Sequence, residues 1–252
     1  MTTAWVRARP YVARGRAQEQ LARMKRDIDA VLERDPAARS SLEVALLYPG
    51  VHAVWAHRVS HWLWRRGAKL PARAVSQAAR KATGIEIHPA ARIGEGLFID
   101  HGMGVVIGET AKVGQGVTIY HGVTLGGTSL EAGDRHPSIG DRVTIGAGAK
   151  VLGNLEVGHD SRIGANAVLV RTVPDNSVVV GVPGQVIART VKHTAVDLPD
   201  LANADVPDPV GATVRNLVTR MDRLETTVTG HVERSLYVEA QGVWQEAPDF
   251  SI

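Results

Sequence analysis

The chain has 252 residues, 44% of them hydrophobic but only 4% aromatic, with 26 glycines and no cysteine. That is enough apolar material for a substantial core in one or two domains, and the missing cysteine excludes a disulfide framework, a thiolate nucleophile and a cysteine zinc site. A formal charge of +3 and a pI near 9.4 arise from Arg7, Arg9, Arg14, Arg16 and a stretch from Arg65 to Lys81, which suits solvated helical faces better than a nucleic-acid groove because no aromatic interleaving accompanies it.

Residues 1–12 carry no pattern and are expected to be poorly ordered. Positions 14–34 are rich in Ala, Gln, Leu, Arg, Met, Lys and Glu, good helix formers. The step Asp35-Pro36 ends that helix, since a residue before proline avoids helical geometry, and Pro36 then fits the first turn of the next one. Leu42 to Tyr48 is apolar, and Pro49-Gly50 is expected to break the chain. Val54, Trp55, Val59, Trp62 and Leu63 recur at helical spacing over 51–66, with Gly67 as C-cap. A further helix is expected over 72–82, closed by Gly84. Residues 1–84 thus form a helical domain, expected to cap one end of a solenoid that begins at residue 85.

From Ile85 the period changes. Ile87, Ile93 and Ile99 are six apart, as are Ile107, Val113, Ile119 and Leu125, and again Ile139, Ile145, Val151, Val157, Ile163 and Leu169. Two residues before each lies a second inward candidate, mostly small or aliphatic. An i, i+2 pair shares one face of a strand, and the glycine that follows most of these steps frees the backbone for a corner. This is the hexapeptide repeat of a parallel β-helix, three steps to a triangular coil. The period breaks twice. Two extra residues fall in Asp100-His101-Gly102-Met103-Gly104, and eight extra in the excursion after Leu125 that holds Asp134, Arg135 and His136. Identical coils stack best, so each departure marks a place where something besides stacking set the sequence. The coil is expected to end at Pro174-Asp175-Asn176, with Val178 to Pro183 as a final extended segment.

The solenoid is assigned 85–190, and 191–252 a linker, a C-terminal helix and a tail. Pro199, Pro207 and Pro209 mark the linker. Val214, Leu217, Met221, Leu224 and Val228 alternate by three and four, which fits either a short coiled coil or an amphipathic helix lying on its own subunit. The last dozen residues have no periodicity and are expected to be mobile. No apolar signal core or membrane-length run is present, so a soluble cytoplasmic protein contacting neither membrane nor nucleic acid is expected. The class is α+β: a helical domain, a parallel β-helix and a helical extension.

The strings IHPAARIGEGLFIDHGMGVVIGETAKVG, VTLGGT, GDRHP, IGAGAKVLGNLEVG and GVPG, with RDPAARSSLEVALLYPGVHAVWAHRVSHWLW before them, resemble the serine O-acetyltransferases of cysteine biosynthesis over roughly residues 30–190. The resemblance implies a left-handed β-helix and a homotrimer, or a dimer of trimers. It implies acetyl transfer from acetyl-CoA to the hydroxyl of L-serine, and L-cysteine as feedback inhibitor. It also implies that a C-terminal isoleucine, here Ile252, docks into O-acetylserine sulfhydrylase, a capture that a free carboxylate and an apolar anchor suit.

A serine hydroxyl is a poor nucleophile and needs a base whose pKa lies near working pH, which points to histidine. His101 sits in the two-residue insertion and is the expected general base. The family pairs it with an aspartate in DIHP; this chain has Glu86 there, long enough to orient the imidazole. Serine is a zwitterion. By resemblance Asp35 and Asp100 hold its ammonium and hydroxyl end, Arg135 its carboxylate through a guanidinium fork, and His136 lines the site as a donor. For Asp35 an alternative is a helix-boundary cap. The acetyl-CoA arm is expected along Gly127, Thr128, Ala147, Gly148 and their neighbours, near one coil edge, with Lys150 or Arg162 meeting phosphates. Step counting places His121 beside His101. The surroundings do not match the three-histidine zinc sites of γ-class carbonic anhydrases, and no metal is expected. An acetyltransferase of sugar or antibiotic hydroxyls would keep His101 without needing Asp35, Asp100 and Arg135. A catalytically silent scaffold would have no need of the base.

Overall fold

A computed structural model describes residues 16–188 and 209–229. The chain divides into two compact units, 1–206 and 207–252. In the first unit, α1 (Arg16–Arg34), α2 (Ser41–Leu47), α3 (Pro49–Arg65) and α4 (Lys69–Thr83) precede the strands. Pro36 does not enter α2. That helix starts at Ser41 because Ser40, extended at φ −158°, accepts the Glu43 N–H on its side chain at 3.2 Å, a stronger start signal than a proline. Pro49-Gly50 opens α3 rather than breaking the chain: proline costs nothing at a first helical position, where its missing N–H has no partner to lose. Gly84 closes α4 at φ +74°, donating to the Arg80 carbonyl.

The strands are mostly two residues long and form three faces. The first holds β1 (Glu86–Ile87), β4 (Val106–Ile107), β7 (Thr124–Gly126), β10 (Lys150–Leu152) and β13 (Val168–Leu169). The second holds β2 (Arg92–Ile93), β5 (Lys112–Val113), β8 (Ser138–Ile139) and β11 (Glu156–Val157). The third holds β3 (Phe98–Ile99), β6 (Thr118–Ile119), β9 (Thr144–Ile145), β12 (Arg162–Ile163), β14 (Ser177–Val180) and β15 (Gln185–Ala188). Every third strand pairs in parallel, so three steps make one coil. The register Ile87↔Ile107↔Leu125↔Val151↔Leu169 runs up the first face. Both insertions are looped out at corners without disturbing it. The repeat residues and their i−2 partners fill a single core, with only Ile93 partly exposed.

The solenoid continues past the expected stop. Val173 bridges Val157, and β14 pairs in parallel with β12, Val179 lying over Ile163. The last coil is two residues shorter than an uninterrupted coil of three six-residue steps, so a strict step of six misses it. The antiparallel β15 then covers the β14 edge, which removes a strand that would otherwise be free to pair.

The helices do more than cap an end. Ala53 and Val54 of α3 join the solenoid core, while Val31, Val44 and Val51 enclose Phe98 on the outside of the third face. Arg34 locks the end of α1 to the coils, its guanidinium donating to the carbonyls of Gly96 and Val117 and to Thr118 Oγ1 at 3.0–3.2 Å. Asp27, 2% exposed, ties α1 to α3 through Arg58 and the Trp55 indole.

In the second unit, α5 (Pro209–Thr229) exposes Val214, Leu217, Val218, Met221 and Leu224. Residues 1–12, most of the linker and the Ile252 tail lie outside the described residues. Among the described residues, no helix is long and apolar enough to cross a membrane.

Candidate active site

The chain meets three corners per coil, and the candidate residues fall on two of them. The corner from the third face to the first carries Asp100 and His101, with His121 one coil above. His101 takes a left-handed backbone at φ 56°, followed by Gly102 and Gly104 at +72° and +76°. That conformation is uncommon for a residue with a Cβ. It turns the imidazole outward, where the side chain is 71% exposed. The His101 and His121 rings meet edge-on at 5.7 Å, as step counting anticipates. His101 Nε2 lies 3.7 Å from Asp100 Oδ2, an electrostatic contact too long for a hydrogen bond.

Asp35 comes from the helical layer, where its charge and that of Asp100 act on the same two tyrosines. Arg34 anchors the preceding residue, and the start of α3 rests directly on the coil: a Cβ on Gly50 would stand 2.2 Å from the Ile99 carbonyl oxygen. Asp35 Oδ1 accepts the Ala37 N–H at 2.8 Å and Oδ2 accepts the Tyr48 hydroxyl at 2.6 Å. Asp35 therefore closes a turn with one oxygen, the helix cap itself being Ser40, and Tyr48 holds the other oxygen. The Tyr48 phenol is pushed up to about 12, first by that hydrogen bond, then by burial, then by the charges of Asp35, Glu43 and Asp100. Tyr120 is also raised, first by burial and then by Asp100, with Asp35 adding to it and Arg162 opposing. Two tyrosines thus sit in the field of both aspartates. Neither stands out in the sequence. The signal it offers is an aromatic at a helix junction and one beside His121, in a chain with few aromatics.

Arg135 and His136 lie at the next corner, from the first face to the second. The excursion folds back on Gly108, whose absent side chain leaves room for the imidazole; a Cβ there would be 2.0 Å from His136 Cδ2. Thr110 Oγ1 accepts the backbone N–H groups of Arg135 and His136 at 3.0 and 3.1 Å and meets His136 Nδ1 at 2.9 Å. The hydroxyl proton is left for Nδ1, which also accepts the Thr110 N–H. Nδ1 is then an acceptor and Nε2 carries the proton. Burial, then Arg135, push the His136 pKa down, so it stays a neutral donor. Arg135 donates to Glu109 Oε2 at 2.6 Å, and that bond is the first cause holding the Glu109 carboxyl low. Glu109 lies within the GETA string, yet nothing in the sequence alone gives it a role.

Other expectations fare differently. Glu86 pairs with Arg80 at 3.1 Å, and no hydrogen bond joins it to His101. The carboxylate nearest that ring is Asp100. The glycine-rich strings do not share one edge: Ala147 and Gly148 border the first face at the His101 corner, Gly127 and Thr128 border it at the Arg135 corner. Gly148 is needed for stacking itself, at φ +72° with Asn166 Oδ1 2.1 Å from where a Cβ would be. Lys150 donates to the Gly122 carbonyl. Arg162 is 5% exposed in the third face and is not presented to a phosphate. A cavity of about 430 Å³ lies at the third corner, lined by Arg26, Arg34, Glu95, Gln115 and Asp141 among others, away from His101. Among the described residues no group of three or more histidines and carboxylates could hold a metal ion.

In one chain, then, an exposed imidazole stands beside a carboxylate at one corner, and a guanidinium with a neutral imidazole donor at the next. Neighbouring corners are separated by a face about six residues wide, roughly 15–20 Å of extended chain. A base, a cation site and an anion site are what proton abstraction from a zwitterionic alcohol needs.

Residues 5–56 match the family described as "Serine acetyltransferase, N-terminal", and residues 136–171 the family "Bacterial transferase hexapeptide (six repeats)". A serine acetyltransferase of Mycobacterium tuberculosis is 54% identical over 233 residues, covering 92% of this chain and all of the relative. The crystal structure of the Neisseria gonorrhoeae serine acetyltransferase in complex with serine superimposes with a TM-score of 0.65 at 45% identity, over 68% of this chain and 70% of that one. The Brucella abortus enzyme in complex with coenzyme A gives 0.67 at 46%, over 69% and 70%. With identity of this order along the whole length of a relative, and with both helical layer and coils matched, the chain belongs to the serine acetyltransferase family.

Proposed function

We propose that the protein transfers the acetyl group of acetyl-CoA to the hydroxyl of L-serine, giving O-acetyl-L-serine and CoA. The observation that carries this reading is an outward-turned His101 with Asp100 Oδ2 3.7 Å from its Nε2, together with a second carboxylate, Asp35, whose charge acts on the same two tyrosines as that of Asp100. A sugar acetyltransferase has no use for that concentration of negative charge, whereas an ammonium does. His101 takes the hydroxyl proton as the oxygen attacks the thioester carbonyl, and the proton passes to the departing CoA thiolate. Asp100 and Asp35 hold the ammonium, Arg135 the α-carboxylate, and the His136 Nε2–H supports the developing oxyanion or the substrate. Glu86, which pairs with Arg80 here, is assigned the orienting of His101 on the resemblance alone.

One serine molecule spans a few ångströms, yet Arg135 and His101 stand on different corners. A site composed from two protomers would bring them together, in the left-handed, trimeric assembly that the resemblance implies, with the arm of acetyl-CoA running between protomers. Gly127 and Thr128 come from one protomer, and Ala147, Gly148 and Lys150 from the other. L-Cysteine, which shares the ammonium and carboxylate of serine, competes for the same clamp as feedback inhibitor. Docking of O-acetylserine sulfhydrylase through Ile252 rests on the resemblance alone.

The test is thiol release from acetyl-CoA by the full-length protein with L-serine, and with a panel of sugar and aminoglycoside alcohols, with the product identified by mass. Serine-dependent release of CoA and appearance of O-acetylserine are expected. No serine-dependent release, or a preference for the sugars, overturns the reading.

A further inference from the structure

The Asp35 carboxylate is held at both oxygens. Ala37 N–H fixes Oδ1 at 2.8 Å, and the Tyr48 hydroxyl fixes Oδ2 at 2.6 Å. An ionised carboxylate has about four acceptor sites, so two remain to receive an ammonium, and their direction is set by the plane in which the group is clamped. Without the phenol, rotation about the terminal side-chain torsion is limited only by the Ala37 bond, and that torsion is soft.

Tyr48 is well placed for this task. It is at once the residue that ends α2, its N–H reaching the Val44 carbonyl, and the residue that precedes the first turn of α3. Its ring packs against the cluster built around Phe98, two positions before Asp100. Its hydroxyl is therefore held by the packed cluster that covers Phe98, on the strand that leads into Asp100. The phenol is held neutral over the whole working range, which makes it a constant donor.

We propose that Tyr48 is a positioning residue for amino-acid recognition: its hydroxyl fixes the Asp35 carboxylate in the orientation that receives the ammonium of the substrate, and so sets the preference for an amino alcohol over a plain hydroxy acid. This rests on Asp35 being the ammonium partner, as proposed above. Tyr48 touches neither the reacting oxygen nor the thioester, so its removal acts on substrate affinity and not on the chemical step.

The experiment compares the wild-type full-length protein with Tyr48→Phe, Asp35→Asn and the double variant. Steady-state kinetics are followed with L-serine, and with 3-hydroxypropionate (serine without its amino group) as a competing ligand. In Tyr48→Phe the KM for serine rises about five- to tenfold while kcat stays within about twofold, and neither the KM for acetyl-CoA nor the inhibition constant of 3-hydroxypropionate changes. Adding Tyr48→Phe to Asp35→Asn has no further effect on serine, because the phenol works through that carboxylate. An unchanged serine KM in Tyr48→Phe, or an equal loss for serine and 3-hydroxypropionate, overturns the proposal. If Asp35→Asn itself leaves the serine KM unchanged, it is the assignment of Asp35 that fails, and the two failures are told apart.

Discussion

At the scale of single residues, two histidines show how placement decides chemistry. His101 is exposed on a left-handed corner beside a carboxylate. Replacing it with Ala removes the proposed base, and serine-dependent acetyl transfer is expected to fall about 10²–10⁴-fold while the oligomer measured by light scattering is retained. His57 is the opposite case. It is 5% exposed, its Nε2 has no hydrogen-bond partner, and its pKa is pushed down to about 3, first by burial and then by His61. The folded form refuses a proton that the unfolded chain accepts below about 6.5. The stability contributed by neutral His57 is therefore full above about pH 6.5 and is lost as pH falls from there towards 3, with a slope of up to about 1.4 kcal/mol per pH unit. In His57→Met the thermal midpoint should fall less steeply between about pH 6.5 and 4 than in the wild type. An unchanged acid limb would assign that sensitivity to other groups.

At the scale of elements, the start of α3 matters because of what it leans on. Gly50 is the point where that helix touches the backbone of Ile99, and a methyl group there has nowhere to go. Gly50→Ala improves helix propensity, yet it should destabilise the protein by about 1–3 kcal/mol, because α3 must lift off the coil. Lifting α3 also moves Tyr48 and Asp35 away from Asp100, so the serine KM should rise in the same variant with little change in that for acetyl-CoA. A denaturant midpoint and one set of kinetics check both halves. A stabilised protein would mean that propensity outweighs the contact.

At the scale of the whole molecule, the separation of His101 and Arg135 onto different corners makes a strong demand on assembly. His101→Ala and Arg135→Ala should each be close to inactive alone. When the two are unfolded together, mixed in equal amounts and refolded, interfaces pairing an intact His101 with an intact Arg135 reappear. Random mixing predicts recovery of about a quarter of wild-type activity, since one interface in four receives both. No recovery in a mixture shown by mass to contain hybrids would place both residues within one protomer.

The period of six, the aliphatic identity of its inward residues and the two places where it fails were all legible in the sequence, because alternation and corner glycines are local properties of a strand. Thirteen steps, their three-fold stacking and the His101–His121 contact follow from counting alone. The last coil escaped because it is shorter by two residues, and the count assumes a constant step. The start of α2 and the role of Pro49-Gly50 are not legible in the sequence, because capping and neighbour contacts settle helix ends, and single-residue propensities do not. What only the tertiary structure decided is which side chains hold one another. Glu86 goes to Arg80, Arg135 to Glu109 and Asp35 to Tyr48. These partners come from separate strands, corners and helices, and their meeting depends on how coils stack and how a helix lies across them.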